Sequence, residues 1–106
     1  MQPANAVSCT GESAAFQVEV RFSGKNPSFQ WQFDDGNGFV DLNDADRAGR
    51  VVIVDDLSDP SQAESVLTIN DLDPSVDTGA YRCIATDDLD VTISETSTLE
   101  VNEPVG

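Results

Sequence analysis

The sequence predicts an all-β sandwich of about eight short strands in two antiparallel sheets. Three observations carry this. Apolar and polar residues alternate at period two in run after run, turn residues punctuate those runs at regular intervals, and no run has the spacing of an amphipathic helix.

The elements follow in order. Val7 to Cys9 reads as a short first strand, and Gly11, Glu12 and Ser13 as the turn behind it. Phe16, Val18 and Val20 then alternate with Gln17, Glu19 and Arg21, the pattern of a half-buried strand. Ser23 to Pro27 is a turn signal, and Phe29, Trp31 and Phe33 form the aromatic inner face of the next strand. Asp34-Asp35-Gly36-Asn37-Gly38 predicts a hairpin turn, because Gly and Asn tolerate positive φ. It leads to a short strand from Phe39 to Leu42 and a polar crossover from Asn43 to Asp46. Arg50 to Val54 reads as a β-branched strand closed by a loop holding Asp55, Asp56 and Asp59. Glu64 to Asn70 turns Leu67 and Ile69 inward, and a turn from Asp71 to Gly79 leads into Tyr81 to Thr86. Ile93 to Val101 is the last strand, with Leu99 and Val101 inward.

At 106 residues the chain fits one domain, residues 1–106, with a core from about 6 to 102 and a linker-like tail over 103–106. Twenty acidic side chains face five cations, a formal charge of -15, and such a surface repels phosphates. Nucleic acid and anionic membrane surfaces are therefore excluded as partners. No stretch has the roughly 20 apolar residues a membrane span needs. The first residues lack the basic and apolar regions of a signal peptide, and Met1 reads as an added start, so the missing leader is silent on compartment.

Catalysis fails on inventory: with no histidine, a serine or cysteine nucleophile lacks its usual base, and the remaining carboxylates sit mostly in solvated loops. Two cysteines and no histidine cannot make a four-ligand zinc site. Calcium is the sharper metal reading. Asp55 and Asp56 in one loop and Asp87 and Asp88 in another offer hard oxygen ligands, yet no stretch fits the calcium-loop template. The competing reading is a solvated acidic face. Lys25 lies in a turn, poorly placed for a self-formed amide crosslink, and Pro27 disqualifies Asn26-Pro27-Ser28 as a glycosylation site.

Four ordered motifs resemble a known family. Asp77-Thr78-Gly79-Ala80-Tyr81-Arg82-Cys83 is similar to the D-x-G-x-Y-x-C segment that opens strand F of immunoglobulin domains, and Trp31 stands where their strand C carries its core tryptophan. Ser65 to Ile69 resembles their strand E, and Gly11-Glu12-Ser13-Ala14 the turn before strand B. The closest flavour is the intermediate set, and Phe29-Gln30-Trp31-Gln32 also resembles modules of large bacterial surface or secreted proteins.

The resemblance implies a Greek-key sandwich in which Trp31 and Leu67 are core, the Tyr81 hydroxyl bonds to nearby backbone, and Arg50 pairs with Asp77. It also places both acidic loops at one end. The strand B cysteine position falls on Val18 rather than Cys9, so the usual bridge between sheets is missing. Two readings remain: a Cys9–Cys83 disulfide, which needs the first strand folded over the sandwich edge, or a buried Cys83 acting as a small hydrophobe with Cys9 free. The implied function is a non-catalytic extracellular or cell-surface module, a spacer or adhesion domain that is monomeric in isolation and meets neighbouring domains of the same chain. The alternative is a recognition module for a glycan or protein, accessory to a secreted enzyme. Sugar recognition would need an exposed aromatic, and Phe22 and Phe39 are the least certain to face inward.

Overall fold

The computed structural model describes residues 6–93 and 96–102; the expected tail over 103–106 lies outside them. Among the described residues nine strands form: β1 (Ala6–Cys9), β2 (Ala14–Val20), β3 (Ser28–Asp34), β4 (Phe39–Leu42), β5 (Val51–Asp56), β6 (Ala63–Ile69), β7 (Gly79–Thr86), β8 (Val91–Ile93) and β9 (Ser97–Asn102). The larger sheet runs β1-β9-β7-β3-β4, with β8 also on β7, and the smaller runs β2-β6-β5.

Alternation decides which side faces in. Along β6 every second residue from Ala63 to Ile69 is buried, and β2 buries Ala14, Phe16 and Val18 against it. Trp31 and Phe33 supply the opposing layer from β3, Tyr81 and Cys83 from β7, and Leu99 and Val101 from β9. Trp31 is 1% exposed and Leu67 and Tyr81 are fully covered. A smaller cluster of Phe22, Ala63 and Ala85 closes the end near the β2–β3 loop, with Phe29 set edge-on to Phe22 at 5.5 Å between ring centroids.

Four expectations are corrected. The pairing is not wholly antiparallel: β1 lies parallel to β9, from Ala6 against Leu99 to Cys9 against Asn102. The segment expected as one last strand pairs with β7 twice, Ile93 against Ile84 and Ser97 against Tyr81. The two pairings differ in register by one residue, the chain advancing four residues from Ile93 to Ser97 against three from Tyr81 to Ile84. That extra residue changes facing parity, so Ile93 points outward with Ile84 while Leu99 points inward. The turn after Asp71 contains a single helical turn, α1 (Pro74–Asp77), begun by Pro74 and by Asp73, whose carboxylate accepts the Ser75 N–H at 2.9 Å. Asp55 and Asp56, expected in a loop, belong to β5, where they pair with Ser65 and Glu64.

Candidate functional site: lower pole, upper loops and outer sheet face

The lower pole is organised by one buried acid. Asp77 is fully covered at the end of α1. Arg50 donates to its Oδ2 at 2.6 Å and Arg47 to its Oδ1 at 2.7 Å. The Asp73 N–H adds a third donor at 2.8 Å. Buried polar groups are costly unless hydrogen-bonded, and here the Asp77 bond raises the Arg50 pKa. The Tyr81 hydroxyl donates to the Asp77 carbonyl at 2.7 Å and accepts from Arg47 Nη1 at 3.0 Å. Burial pushes the Tyr81 pKa up to about 12, so the hydroxyl is a structural donor and not an acid.

The geometry thus places Arg50 on Asp77 and ties Tyr81 to backbone. Arg47 is the member that sequence reasoning missed. It sits in a turn at φ 58° with its guanidinium 4.5 Å from the Phe33 ring centroid. Gly79 has a steric reason: a Cβ there would lie 2.5 Å from the Asp34 carbonyl oxygen.

At the upper pole the acidic residues serve the loops. Asp87 accepts backbone N–H groups from Gly24 at 2.9 Å, Leu89 at 2.9 Å and Asp90 at 2.8 Å, and these bonds hold its carboxyl below the usual range. Asp88 accepts from Lys25 N–H at 2.6 Å. Asp55 takes the Ser65 hydroxyl, and Asp56 takes the Ser58 N–H at 3.1 Å. Among the described residues no three Asp, Glu or Cys side chains converge as a metal site would require. The four calcium candidates therefore lie in separate hydrogen-bonded groups.

Cys9 is an exposed thiol and Cys83 a buried one. Cys83 is buried opposite Trp31, where lost solvation, followed by the charge of Asp55, pushes its thiol up to about 12. Cys9 is exposed, with its pKa raised by a hydrogen bond to Glu12. β9 stands between β1 and β7, so Cys9 lies two strand spacings, roughly 10 Å, to the side of the Cys83 strand. Register adds to that gap: Cys9 pairs with Asn102 at the far end of β9, while Cys83 lies beyond the Tyr81–Ser97 pair. The distance is too great for a disulfide, whose Cα atoms must approach within about 7 Å. Trp31, lacking a bridge to pack on, donates Nε1–H to Ser65 Oγ at 2.8 Å.

The outer face of the larger sheet is the remaining candidate. Ile84, Ile93 and Val91 form an apolar strip along β7 and β8, with Ile93 52% and Val91 56% exposed. Beside it runs a prearranged polar ladder: Arg82 Nε donates to Gln32 Oε1 at 2.8 Å and Gln32 Nε2 to Asp41 Oδ1 at 3.0 Å. The Arg82 guanidinium lies 3.8 Å from the Phe39 ring centroid. The sequence hid this strip, because the one-residue register difference between β8 and β9 leaves no mark in the alternation.

No family model matches the sequence, and no curated protein matches it. Solved structures do match. The N-terminal Ig1-2 module of the Drosophila receptor protein tyrosine phosphatase DLAR superposes with a TM-score of 0.77 at 22% identity, over 98% of this chain and 47% of that one. The tandem Ig repeats of Dlar give 0.73 at 20% identity, over 100% and 48%. A structure described as the RIG-5 IG1 homodimer gives 0.73 at 22% identity, over 95% and 92%. The chain thus spans about half the length of the first two, and the likeness is one of fold. With two sheets closing over Trp31 and a D-x-G-x-Y corner in place, this chain has the immunoglobulin-like sandwich fold.

Proposed function

We propose that the domain is a non-catalytic module of a larger extracellular or cell-surface protein, acting as a spacer or adhesion domain. The observation that carries this reading is the apolar strip of half-buried Ile84 and exposed Val91 and Ile93 beside the fixed Arg82–Phe39 stack. Large side chains held in place before contact lose little freedom on binding, and Arg and aromatic residues are frequent anchors of protein interfaces. The groove beside β4 is lined by the carboxylates of Asp35, Asp41 and Asp46 together with Phe33, Val40, Arg47 and Val76, and its one cation, Arg47, is committed to Asp77 and Tyr81. An extended body, 51 × 26 × 23 Å, suits a spacer. Among the described residues no helix is long and apolar enough to cross a membrane. The intermediate-set flavour and a bacterial surface or secreted parent belong to the same proposal.

The glycan-recognition alternative gains no support, since Phe22 is buried and the Phe39 ring is covered by Arg82. Calcium gains none either, because Asp87 and Asp88 already hold backbone amides. The test is clustering of beads coated with the domain, wild type against Ile93→Asp. Clustering lost in the variant supports adhesion through this face, and no clustering of either assigns the spacer role. Clustering that survives the substitution contradicts the assignment of the face.

A further inference from the structure

The turn between β3 and β4 sets an asparagine directly before a glycine, and both Asn37 and Gly38 are exposed. Gly38 has φ 109°, and a Cβ built on it would meet nothing within 4 Å. An asparagine side-chain carbonyl is electrophilic at Cγ, and the next backbone nitrogen lies at the spacing that closes a five-membered ring. A side chain on the following residue normally obstructs that closure, and glycine has none. The other described asparagines before an N–H are Asn43 and Asn70, each followed by aspartate, and Asn102, followed by glutamate, whereas Asn26 precedes Pro27, which has no N–H to lose.

A second observation concerns the attacking nitrogen. One oxygen, Asp34 Oδ1, accepts the N–H of Gly36 at 2.7 Å and that of Gly38 at 3.0 Å. Asp35 Oδ1 separately accepts from Asn37 N at 3.2 Å and Nδ2 at 3.1 Å. A nitrogen whose N–H is held by a carboxylate cannot turn onto the asparagine, and the adjacent negative charge opposes its deprotonation. These same two glycine bonds hold the Asp34 carboxyl below the usual range, which keeps it charged at neutral pH.

We propose that Asn37 is a self-modifying site of this domain and that Asp34 acts as a positioning residue that slows it by holding Gly38 N–H. In the reaction the Gly38 nitrogen gives its proton to water and bonds to Asn37 Cγ. The Cγ–Nδ2 bond breaks, and the amide nitrogen leaves as ammonia after taking up a proton. Water then adds to either carbonyl of the cyclic imide, leaving aspartate or isoaspartate. The balance is one water in and one ammonia out, with no oxidant or reductant. The isoaspartate product inserts a methylene into the backbone of the turn next to Phe39. Asp35-Gly36 has the same spacing, but an ionised carboxylate is a poor electrophile, so at neutral pH it follows far behind.

The test incubates the folded domain at mildly alkaline pH and follows each asparagine by peptide mapping with mass spectrometry. Asn37 converts ahead of Asn43 and Asn70. Asp34→Ala speeds it about tenfold, the gain expected when one charge-assisted hydrogen bond is lost. Asp35→Ala leaves both glycine nitrogens on Asp34 and stays close to wild type, and in denaturant all three proteins converge. Conversion of Asn37 no faster than that of Asn43 and Asn70 would overturn the site. Equal acceleration by Asp34→Ala and Asp35→Ala, or a gap that persists in denaturant, would overturn the role of Asp34 and mark the effect as general loosening of the hairpin.

Discussion

Asp77 shows how much one side chain can organise. Its carboxylate is fully covered, yet both arginines that hold it reach water, with side chains 12% and 22% exposed. Breaking a buried pair usually costs about 3–5 kcal/mol, and partial exposure of the partners lowers that, so Asp77→Asn should cost about 2–3 kcal/mol in urea unfolding. Arg47→Ala should cost more than its partial exposure suggests, because it also removes a donor to Tyr81 and a cation from the Phe33 ring. The two thiols behave oppositely. Cys9 is open to a thiol reagent in the native protein, whereas Cys83 should react only after unfolding, being covered and with its pKa pushed up to about 12. A thiol count in native and denatured protein checks this, and fewer than two free thiols after denaturation would contradict it.

At the scale of elements, the turn from Asp44 to Arg50 holds three non-glycine residues at positive φ: Ala45 at 71°, Arg47 at 58° and Ala48 at 57°. Each costs strain that glycine would not have. Ala48→Gly should therefore stabilise the domain by about 0.5–1 kcal/mol, seen as a raised Tm, whereas a lowered Tm would mean that the turn is not left-handed there. The opposite holds at Gly24, where a Cβ would clash with Asp88 Oδ1 and lie 2.7 Å from Asp87 Cγ. Gly24→Ala forces these carboxylates away and should cost about 1–3 kcal/mol. Strands were legible in the sequence wherever one face is buried, as from Phe29 to Phe33, since alternation records burial directly. What could not be read lies where backbone geometry decides. Arg47 reaches Asp77 only because its turn is left-handed. Ile93 faces outward because β8 and β9 pair with β7 in registers one residue apart, and Asp56 extends a strand whose pairing with Glu64 leaves no local signal.

Across the whole molecule, stability should have two pH flanks. The carboxyls of Asp34, Asp56, Asp73 and Asp87 are all lowered by hydrogen bonds made only in the folded state. Their contribution is complete above the unfolded carboxylate pKa, about 4, and is lost as pH falls through the lower folded values. Tyr81 acts at the other end. Its raised pKa keeps stability intact below about 10, the unfolded value, and loses it as pH climbs toward about 12. Thermal unfolding across pH should show a plateau between these flanks.

Two sheets pack over Trp31 without a covalent link between them. Urea unfolding followed by Trp31 emission, with and without reductant, tests this in one experiment. The prediction is blue-shifted native emission, a single cooperative transition and the same midpoint in both conditions. A midpoint that falls on reduction, or native emission already at the wavelength of a solvated indole, would contradict it.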